Sequence, residues 1–154
     1  MTLEATMKHY WDAYNEHNLE ALLSFYDEEV TIRFPTDPEP ARGKEQLRKR
    51  WTMLFSKVIP DIHEEHLSTL IQGNLVACEV IESGTFTIPA ELAAQMNVPA
   101  MSQPYRMAIG SFFQFNAKGL IAEVHSYWDT GTFSQQLGID IAQVRAMQSR
   151  AHSN

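Results

Sequence analysis

The sequence predicts an α+β domain in which a curved, mostly antiparallel sheet wraps around helices from the N-terminal part of the chain. Two observations predict it. Before Asp61, apolar residues recur at three- and four-residue steps, as on amphipathic helices, and after Asp61 they alternate with polar residues, as on strands. Helices followed by strands in this order favour a sheet with helices packed on one face. We expect the cone-shaped interior of such a domain to be a small-ligand site.

Length and composition favour one domain over residues 1–154. The chain is 44% hydrophobic and 20% charged, with a formal net charge of -7. This charge argues against nucleic acid and anionic membranes as partners, because both need a basic surface. No stretch approaches the ~20 apolar residues of a membrane helix, and no signal peptide is visible. The single Cys78 is expected to be a buried, unreactive thiol in a cytoplasmic protein.

Helices are predicted before Asp61 from the spacing of apolar residues and from capping residues. Thr2 can cap the first helix, and Pro60 ends the last. The helical ranges are 2–15, 19–26 and 44–58, with a brief strand over 30–34.

Four strands are predicted after Asp61, over 62–72, 75–87, 105–115 and 120–129. Turn residues at 72–74 and 116–119 indicate hairpins. The long connection 88–104, with a helical piece at Ala90–Met96, is expected to be a lid or an oligomer contact. Further helices are predicted over 132–138 and 140–150.

The last predicted strand carries the main functional clue. Alternation puts Glu123, His125, Tyr127 and Asp129 on one face, which either meets water or lines a pocket. Burial beside aromatic side chains would raise the pKa of Asp129 and make it a general base. Alternatively, Asp129 caps the following helix. His125 lies roughly 13 Å along the strand from Asp129, so the two need a substrate, a water or a bulge to act together.

Two further groups of side chains could form a site, one as metal ligands and the other as the wall of an apolar pocket. Asp61, His63 and Glu65 share a strand face, but no second closely spaced ligand group follows, so no metal site is predicted. Aromatic and methionine side chains are numerous enough to line a pocket, although each one could equally be core. The candidate substrate-binding residues are Tyr14, Trp51, Phe55, Phe86, Tyr105, Met107 and Tyr127.

Several motifs resemble a known family. Residues 118–129 read KGLIAEVHSYWD, and residues 133–138 read FSQQLG. Together with Pro60-Asp61, Gly84-Thr85 and Arg42-Gly43, they resemble the SnoaL-like polyketide cyclases and their ester cyclase relatives. That resemblance implies a nuclear-transport-factor-two-like cone fold.

The resemblance implies a cofactor-free enzyme. In the cyclases the aspartate at the strand end is an acid/base that acts on an acidic C–H group, and this role maps onto Asp129. Two positions depart from the family pattern, because Phe86 replaces a histidine and His125 replaces a tryptophan. We therefore expect a cyclisation, isomerisation or hydration of an apolar, carbonyl-bearing molecule, with Asp129 and His125 as catalytic residues.

Two alternatives stay open. One is water activation, as in the cone-fold epoxide hydrolases, for which Arg106 could supply an arginine. The other is a non-catalytic ligand-binding or dimerisation module. In that case the outer face of the sheet, with Val124, Trp128 and Phe112, would form a homodimer interface, and a homodimer is also compatible with an enzyme.

Overall fold

The computed structural model describes residues 1–143 and 146. In this part of the chain, helices come first and strands dominate the second half, as predicted. A π-helical segment, Leu54–Val58, directly follows the α-helix that ends at Met53. The elements are α1 (Leu3–Asn15), α2 (Leu19–Leu23), β1 (Tyr26–Arg33), β2 (Ala41–Arg42), α3 (Lys44–Met53), β3 (His63–Gln72), β4 (Leu75–Ile88), α4 (Ala90–Met96), β5 (Met101–Phe115), β6 (Ile121–Tyr127) and α5 (Thr130–Leu137).

The six strands form one mixed sheet in the order β2-β1-β6-β5-β4-β3. β1 and β6 are parallel, and all other neighbouring strands are antiparallel. The sheet is open, with β3 at one edge and β2 at the other. The predicted α+β class with a mostly antiparallel sheet is therefore confirmed.

The core lies between α1 and the inner face of the sheet. The ring centroids of Tyr10 and Trp11 lie 5.4 and 6.0 Å from that of Phe113, so α1 crosses the inner face of β5. On β4, Val76, Val80 and their inward-facing neighbours are buried while the intervening residues are more exposed. This alternation is the physical origin of the two-residue period in the sequence.

Several element boundaries differ from the sequence predictions. α2 ends at Leu23, because Tyr26 already belongs to β1 and its hydroxyl contacts that of Tyr10 at 2.7 Å. β5 begins at Met101, because its pairing with β4 continues to Ile88. β2 was not predicted. Most of the helix predicted over 140–150 lies outside the described residues, and a lid or oligomer role for 88–104 stays a prediction.

The described ranges, 1–143 and 146, include the single cysteine and the candidate metal ligands. Cys78 is free and buried, which confirms its predicted burial, and desolvation raises the pKa of its thiol to about 12. No helix within these ranges has the length and apolar character needed to cross a membrane. Within them, too, no three His, Cys, Asp or Glu side chains are grouped so that they could hold a metal ion.

Candidate active site

The polar face of β6 lies on the outer side of the sheet. Glu123 and Tyr127 are exposed and His125 is half-buried, whereas Val124 and Ser126 between them are buried on the inner side. His125 Nε2 lies 2.7 Å from Glu123 Oε1. The alternation allowed this face either to meet water or to line a pocket, and in the structure it meets water. His125 and Tyr127 therefore do not face the interior.

Asp129 caps α5. Its carboxylate accepts hydrogen bonds from the backbone N–H groups of Gly131 and Thr132 at 2.9 and 3.2 Å, and from the Thr132 hydroxyl at 3.0 Å. These bonds hold the pKa of the exposed Asp129 below its usual range. Of the two alternatives for Asp129, the structure shows the helix cap, which stabilises the charged form of the carboxyl while little desolvation opposes it. Catalytic roles for Asp129 and His125 stay predictions.

The residues expected at the outer face need a correction. Val124 is 3% exposed and belongs to the core. Trp128 is half-buried, with its ring centroid 5.4 Å from that of Phe34. Phe112 does lie outside, because it pairs with His125 in the sheet register and so shares its face.

The interior contains two carboxyl groups that the sequence analysis missed. Glu64 on β3 and Glu82 on β4 are only 8% and 9% exposed. They are directly paired across the two antiparallel strands, so their side chains share the inner face. The Oε2 atom of Glu64 is buried without a hydrogen-bond partner. Two carboxyls this close cannot both ionise easily, so the pair favours a shared proton.

The surroundings of the two carboxyls differ. Desolvation is the largest cause that raises the pKa of each, and the neighbouring charge of Glu82 raises the pKa of Glu64 further. Conversely, the Tyr105 hydroxyl donates a 2.8 Å hydrogen bond to Glu82 Oε1, which stabilises the charged form of Glu82. This asymmetry favours a neutral acid at Glu64 beside a carboxylate at Glu82.

Tyrosine hydroxyls surround this acid pair, defined as Glu64 and Glu82. Desolvation raises the pKa of Tyr10, Tyr14 and Tyr105, and the charge of the acid pair adds to the rise at Tyr14. These phenols therefore stay protonated at neutral pH. They therefore cannot act as bases at neutral pH.

One group of predicted substrate-binding residues comes together beside the acid pair. The ring centroid of Tyr14 lies 6.0 Å from that of Trp51 and 5.5 Å from that of Phe55, edge to face in both cases. Tyr14 and Trp51 are buried, and Phe55 is half-buried in the π-helical segment. These rings give the interior an apolar wall.

A second group forms around Phe133 of α5. Its ring centroid lies 5.9 Å from that of Phe86 and 5.3 Å from that of Tyr105. Met107 is also buried, in the register position opposite Glu82. Of the predicted pocket residues, Tyr127 alone is exposed, on the outer face with 57% of its surface accessible.

Two of the motifs that suggested the family contact each other next to the acid pair. The Asp61 carboxylate accepts hydrogen bonds of 2.8 Å from both the backbone N–H and the hydroxyl of Thr85, which lower the pKa of Asp61. A Cβ atom on Gly84 would lie 2.4 Å from Ile59 Cγ2, so only glycine allows this approach. The Pro60-Asp61 and Gly84-Thr85 motifs therefore hold the segment before β3 against β4.

Other candidates from the sequence lie outside the interior. Asp61, His63 and Glu65 are exposed, and Asp61 is already held by Thr85. Arg106, considered for water activation, is also exposed, with its guanidinium 3.7 Å from Glu65 Oε2. Neither set of side chains points at the acid pair.

The sequence did contain a signal for the acid pair. Glu82 continues the inward-facing series Val76, Cys78 and Val80 at two-residue spacing. A carboxyl at an inward position of an apolar series is costly without a partner, and such a residue is a functional candidate. Glu64 is harder to find, because most of its neighbours on β3 are exposed and the alternation there is weak.

A small apolar cavity of about 10 Å³ lies away from the acid pair. It has room for at most one water molecule, and neither glutamate lines it. The hydrophobic pocket expected in the interior therefore stays a prediction. The cavity is lined by Ile88, Val98, Pro99, Met101, Ile139 and Gln143.

Comparison with family models decides the family. The model of the SnoaL-like domain matches residues 7–124, well over half of the chain. The chain belongs to the SnoaL-like family. The matched range includes both residues of the acid pair. No curated protein matches the sequence.

Solved structures share the fold of this SnoaL-like protein. TsrD from Streptomyces laurentii is 24% identical with a TM-score of 0.69, covering 88% of this chain and 94% of that one. IdmH from Streptomyces antibioticus, a proposed polyketide cyclase, is 22% identical with a TM-score of 0.70, covering 90% and 100%. A proposed polyketide cyclase from Pseudomonas putida is 21% identical with a TM-score of 0.71, covering 89% and 98%. At these identities the likeness establishes the SnoaL and nuclear-transport-factor-two-like fold alone.

Proposed function

We propose that this SnoaL-like protein is a small-molecule enzyme that moves protons on an apolar, carbonyl-bearing substrate without a cofactor. The observation that carries the proposal is the acid pair: two buried, directly opposed carboxyls, one of which accepts a hydrogen bond from Tyr105. Pairs of titratable groups whose surroundings push their pKa values apart are typical of acid/base catalysis.

The asymmetry of the pair assigns a role to each carboxyl. The carboxylate of Glu82 takes a proton from the carbon next to the substrate carbonyl, while the acid of Glu64 gives its proton to the carbonyl oxygen. The C–H electron pair becomes the new C=C bond, and the C=O π pair becomes the O–H bond of an enol. The proton on Glu82 and the charge on Glu64 leave the net charge of the pair unchanged, so the step needs no other reagent.

The next reaction of the enol determines the product. It is protonated at a different carbon in an isomerisation, or it attacks a second carbonyl of the same molecule in a cyclisation. The aromatic wall of Tyr14, Trp51 and Phe55 supplies apolar contacts for either substrate. The π-helical segment has no fully buried residue, so we expect substrate to enter by displacement of this segment beside Phe55.

Exchange of substrate protons with solvent tests the proposal directly. The protein is incubated in D₂O with a panel of apolar ketones and 1,3-diketones, and deuterium at the carbon next to the carbonyl is followed by NMR. We expect the wild type to accelerate exchange, and Glu64→Gln and Glu82→Gln to lose about 10²–10⁴-fold of that acceleration. Asp129→Asn is the matched control, because an asparagine also caps a helix, and it should retain the activity.

Each other outcome has a definite meaning. Loss of exchange in Asp129→Asn with full activity in Glu82→Gln would return the catalytic role to Asp129. Wild-type protein that accelerates no exchange in the whole panel would contradict the enzyme and favour the non-catalytic module.

We also propose that the protein forms a homodimer through the outer face of the sheet. Leu70, Ala77 and Phe112 are register partners in one row across β3, β4 and β5, and Leu70 and Phe112 are 76% and 46% exposed. The ring of the exposed Tyr127 lies 6.2 Å from that of Phe112. Such a contiguous apolar row on a sheet face is typical of self-association.

Light scattering of the purified protein tests the homodimer. The wild type should have the mass of two chains, and Phe112→Ser should shift it to one, because the substitution removes the largest apolar side chain of the row. Met53→Ser is the control, since Met53 is a comparably exposed apolar residue on α3. A wild type that is monomeric at every concentration, or a Met53→Ser variant that dissociates equally, would contradict this interface.

A further inference from the structure

The last residue of α1 makes two hydrogen bonds to the backbone of Glu64. Asn15 Nδ2 donates to the Glu64 carbonyl oxygen at 2.9 Å, and Asn15 Oδ1 accepts from the Glu64 N–H at 2.8 Å. β3 is an edge strand, so its outward-pointing backbone groups have no neighbouring strand. The side-chain amide of Asn15 supplies the donor and the acceptor that such a strand would offer.

These two bonds show which kind of pair Glu64 makes with Glu82. In an antiparallel ladder, the backbone groups of a residue point either at its partner strand or away from it. Those of Glu64 point at Asn15, so Glu64 and Glu82 form the non-hydrogen-bonded type of pair. In this type the Cα atoms are about 4.5 Å apart instead of about 5.5 Å, and the side chains are closer.

The turn after α1 holds the same strand edge at a second point. His17 Nε2 donates to the carbonyl oxygen of Ile62 at 2.8 Å, and the His17 ring stacks on that of Phe55 with centroids 4.8 Å apart. This contact resembles that of Asn15 in kind but lies two residues away from Glu64. His17 therefore provides a matched control.

We propose that Asn15 is a positioning residue that holds the Glu64 carboxyl against that of Glu82. Its catalytic consequence rests on the proposed function, but the geometry does not, because the interaction between the carboxyls can be measured by titration without any substrate. Substitution of Asn15 leaves every other titratable residue around the pair in place. These residues are Tyr10 and Tyr14 on α1, Tyr26 on β1, Asp61 before β3, Cys78 on β4 and Tyr105 on β5.

The test measures the apparent pKa values of the pair by NMR of ¹³C-labelled glutamate side chains, assigned with Glu64→Gln and Glu82→Gln. Asn15→Ala should lower the upper apparent pKa by about one unit or more, because the carboxyls separate and water reaches them. Asn15→Asp should raise it, because a third carboxylate is added nearby. His17→Phe keeps the ring stack, loses the bond to Ile62, and should leave both values unchanged.

A merely structural role predicts a different result. If Asn15→Ala lowers the melting temperature as His17→Phe does but leaves the pair's titration unchanged, the positioning role is overturned. If Asn15→Ala fails to fold, the titration of Asn15→Asp and the amide exchange of the wild type still test the positioning role. In the wild type, the side-chain amide protons of Asn15 should exchange slowly with solvent, and exchange as fast as that of a free amide would overturn the proposal.

The two proposals fail separately. A shifted titration in Asn15→Ala, together with a wild type that catalyses no deuterium exchange, would retain the positioning role and reject the enzyme. Normal exchange activity with an unshifted titration would retain the enzyme and reject the positioning role.

Discussion

Tyr105 determines which carboxyl of the acid pair carries the charge. It donates its hydroxyl proton to Glu82 and not to Glu64. A hydrogen bond to a charged group contributes about 1.5–3 kcal/mol, so this one contact is enough to separate the two carboxyls into an acid and a base. The hydrogen bond between the two carboxyls also lowers the pKa of Glu82, and the bond from Tyr105 adds to that effect.

Tyr105→Phe should therefore raise the pKa of Glu82 by about one to two units. Since the proposed base must be charged, the pH at which deuterium exchange sets in should move upward by the same amount. The measurement is the pH profile of the exchange rate. Tyr26→Phe removes a buried hydroxyl that contacts Tyr10 instead of the pair, so its profile should match the wild type, and an unshifted profile in Tyr105→Phe would contradict this role.

Single residues also show where sequence analysis reached its limit. The pattern around Asp129 allowed either a desolvated base or a helix cap, and the choice depends on N–H groups of α5 that become available only when the helix forms. Glu64 and Glu82 are far less visible, because they become neighbours only through the register of β3 and β4. A contact between two strands is not encoded in the periodicity of either one.

At the scale of elements, alternation predicted which side chains of β6 share a face but not which face is inside. A polar face suits water and a catalytic pocket equally well, so Glu123, His125 and Tyr127 could not be assigned from β6 alone. The register with β5 decides, because Phe113 pairs with the buried Val124 and packs under α1. Most helices and strands, by contrast, follow from local periodicity and were predicted to within a few residues.

The contact between the segment before β3 and β4 yields a prediction at this scale. Gly84→Ala should destabilise the protein by about 1–3 kcal/mol, because the new methyl group would overlap Ile59 and push the two elements apart. Urea unfolding measures the change. Gly110→Ala is the control, since nothing lies within 4 Å of its added carbon, and equal losses in the two variants would show that close approach is not the cause.

At the scale of the whole molecule, two sets of carboxyls act on stability in opposite pH ranges. Hydrogen bonds lower the pKa of Asp27, Asp61 and Asp129, so the stability they contribute is present above about pH 4 and lost as pH falls. Burial raises the pKa of Glu64 and Glu82, so the folded state holds protons that the unfolded state releases above about pH 4.5. Stability should therefore be greatest near about pH 4 to 5 and decline as pH rises.

Glu64→Gln should remove part of that decline. The wild type should lose up to about 1.4 kcal/mol of unfolding free energy per pH unit while one carboxyl of the pair holds its proton, and Glu64→Gln should lose less. Urea unfolding at pH 5 and pH 8 measures both slopes. Glu65→Gln alters the exposed neighbour on β3 and should keep the wild-type slope. A wild type that gains stability over this range would contradict a protonated pair.

The parallel pairing of β1 with β6 affects how the chain reaches its native state. Tyr26 pairs with Ile121, so the sheet joins the first of the described strands to the last of them in chain order. Until β6 leaves the ribosome, β1 can bond only to the two-residue β2 on its other side. The β3–β4 hairpin, which brings the two glutamates together, needs only local contacts and can form much earlier. Closure of the sheet at β1 therefore waits for β6, and β1 is an open edge for association until that step.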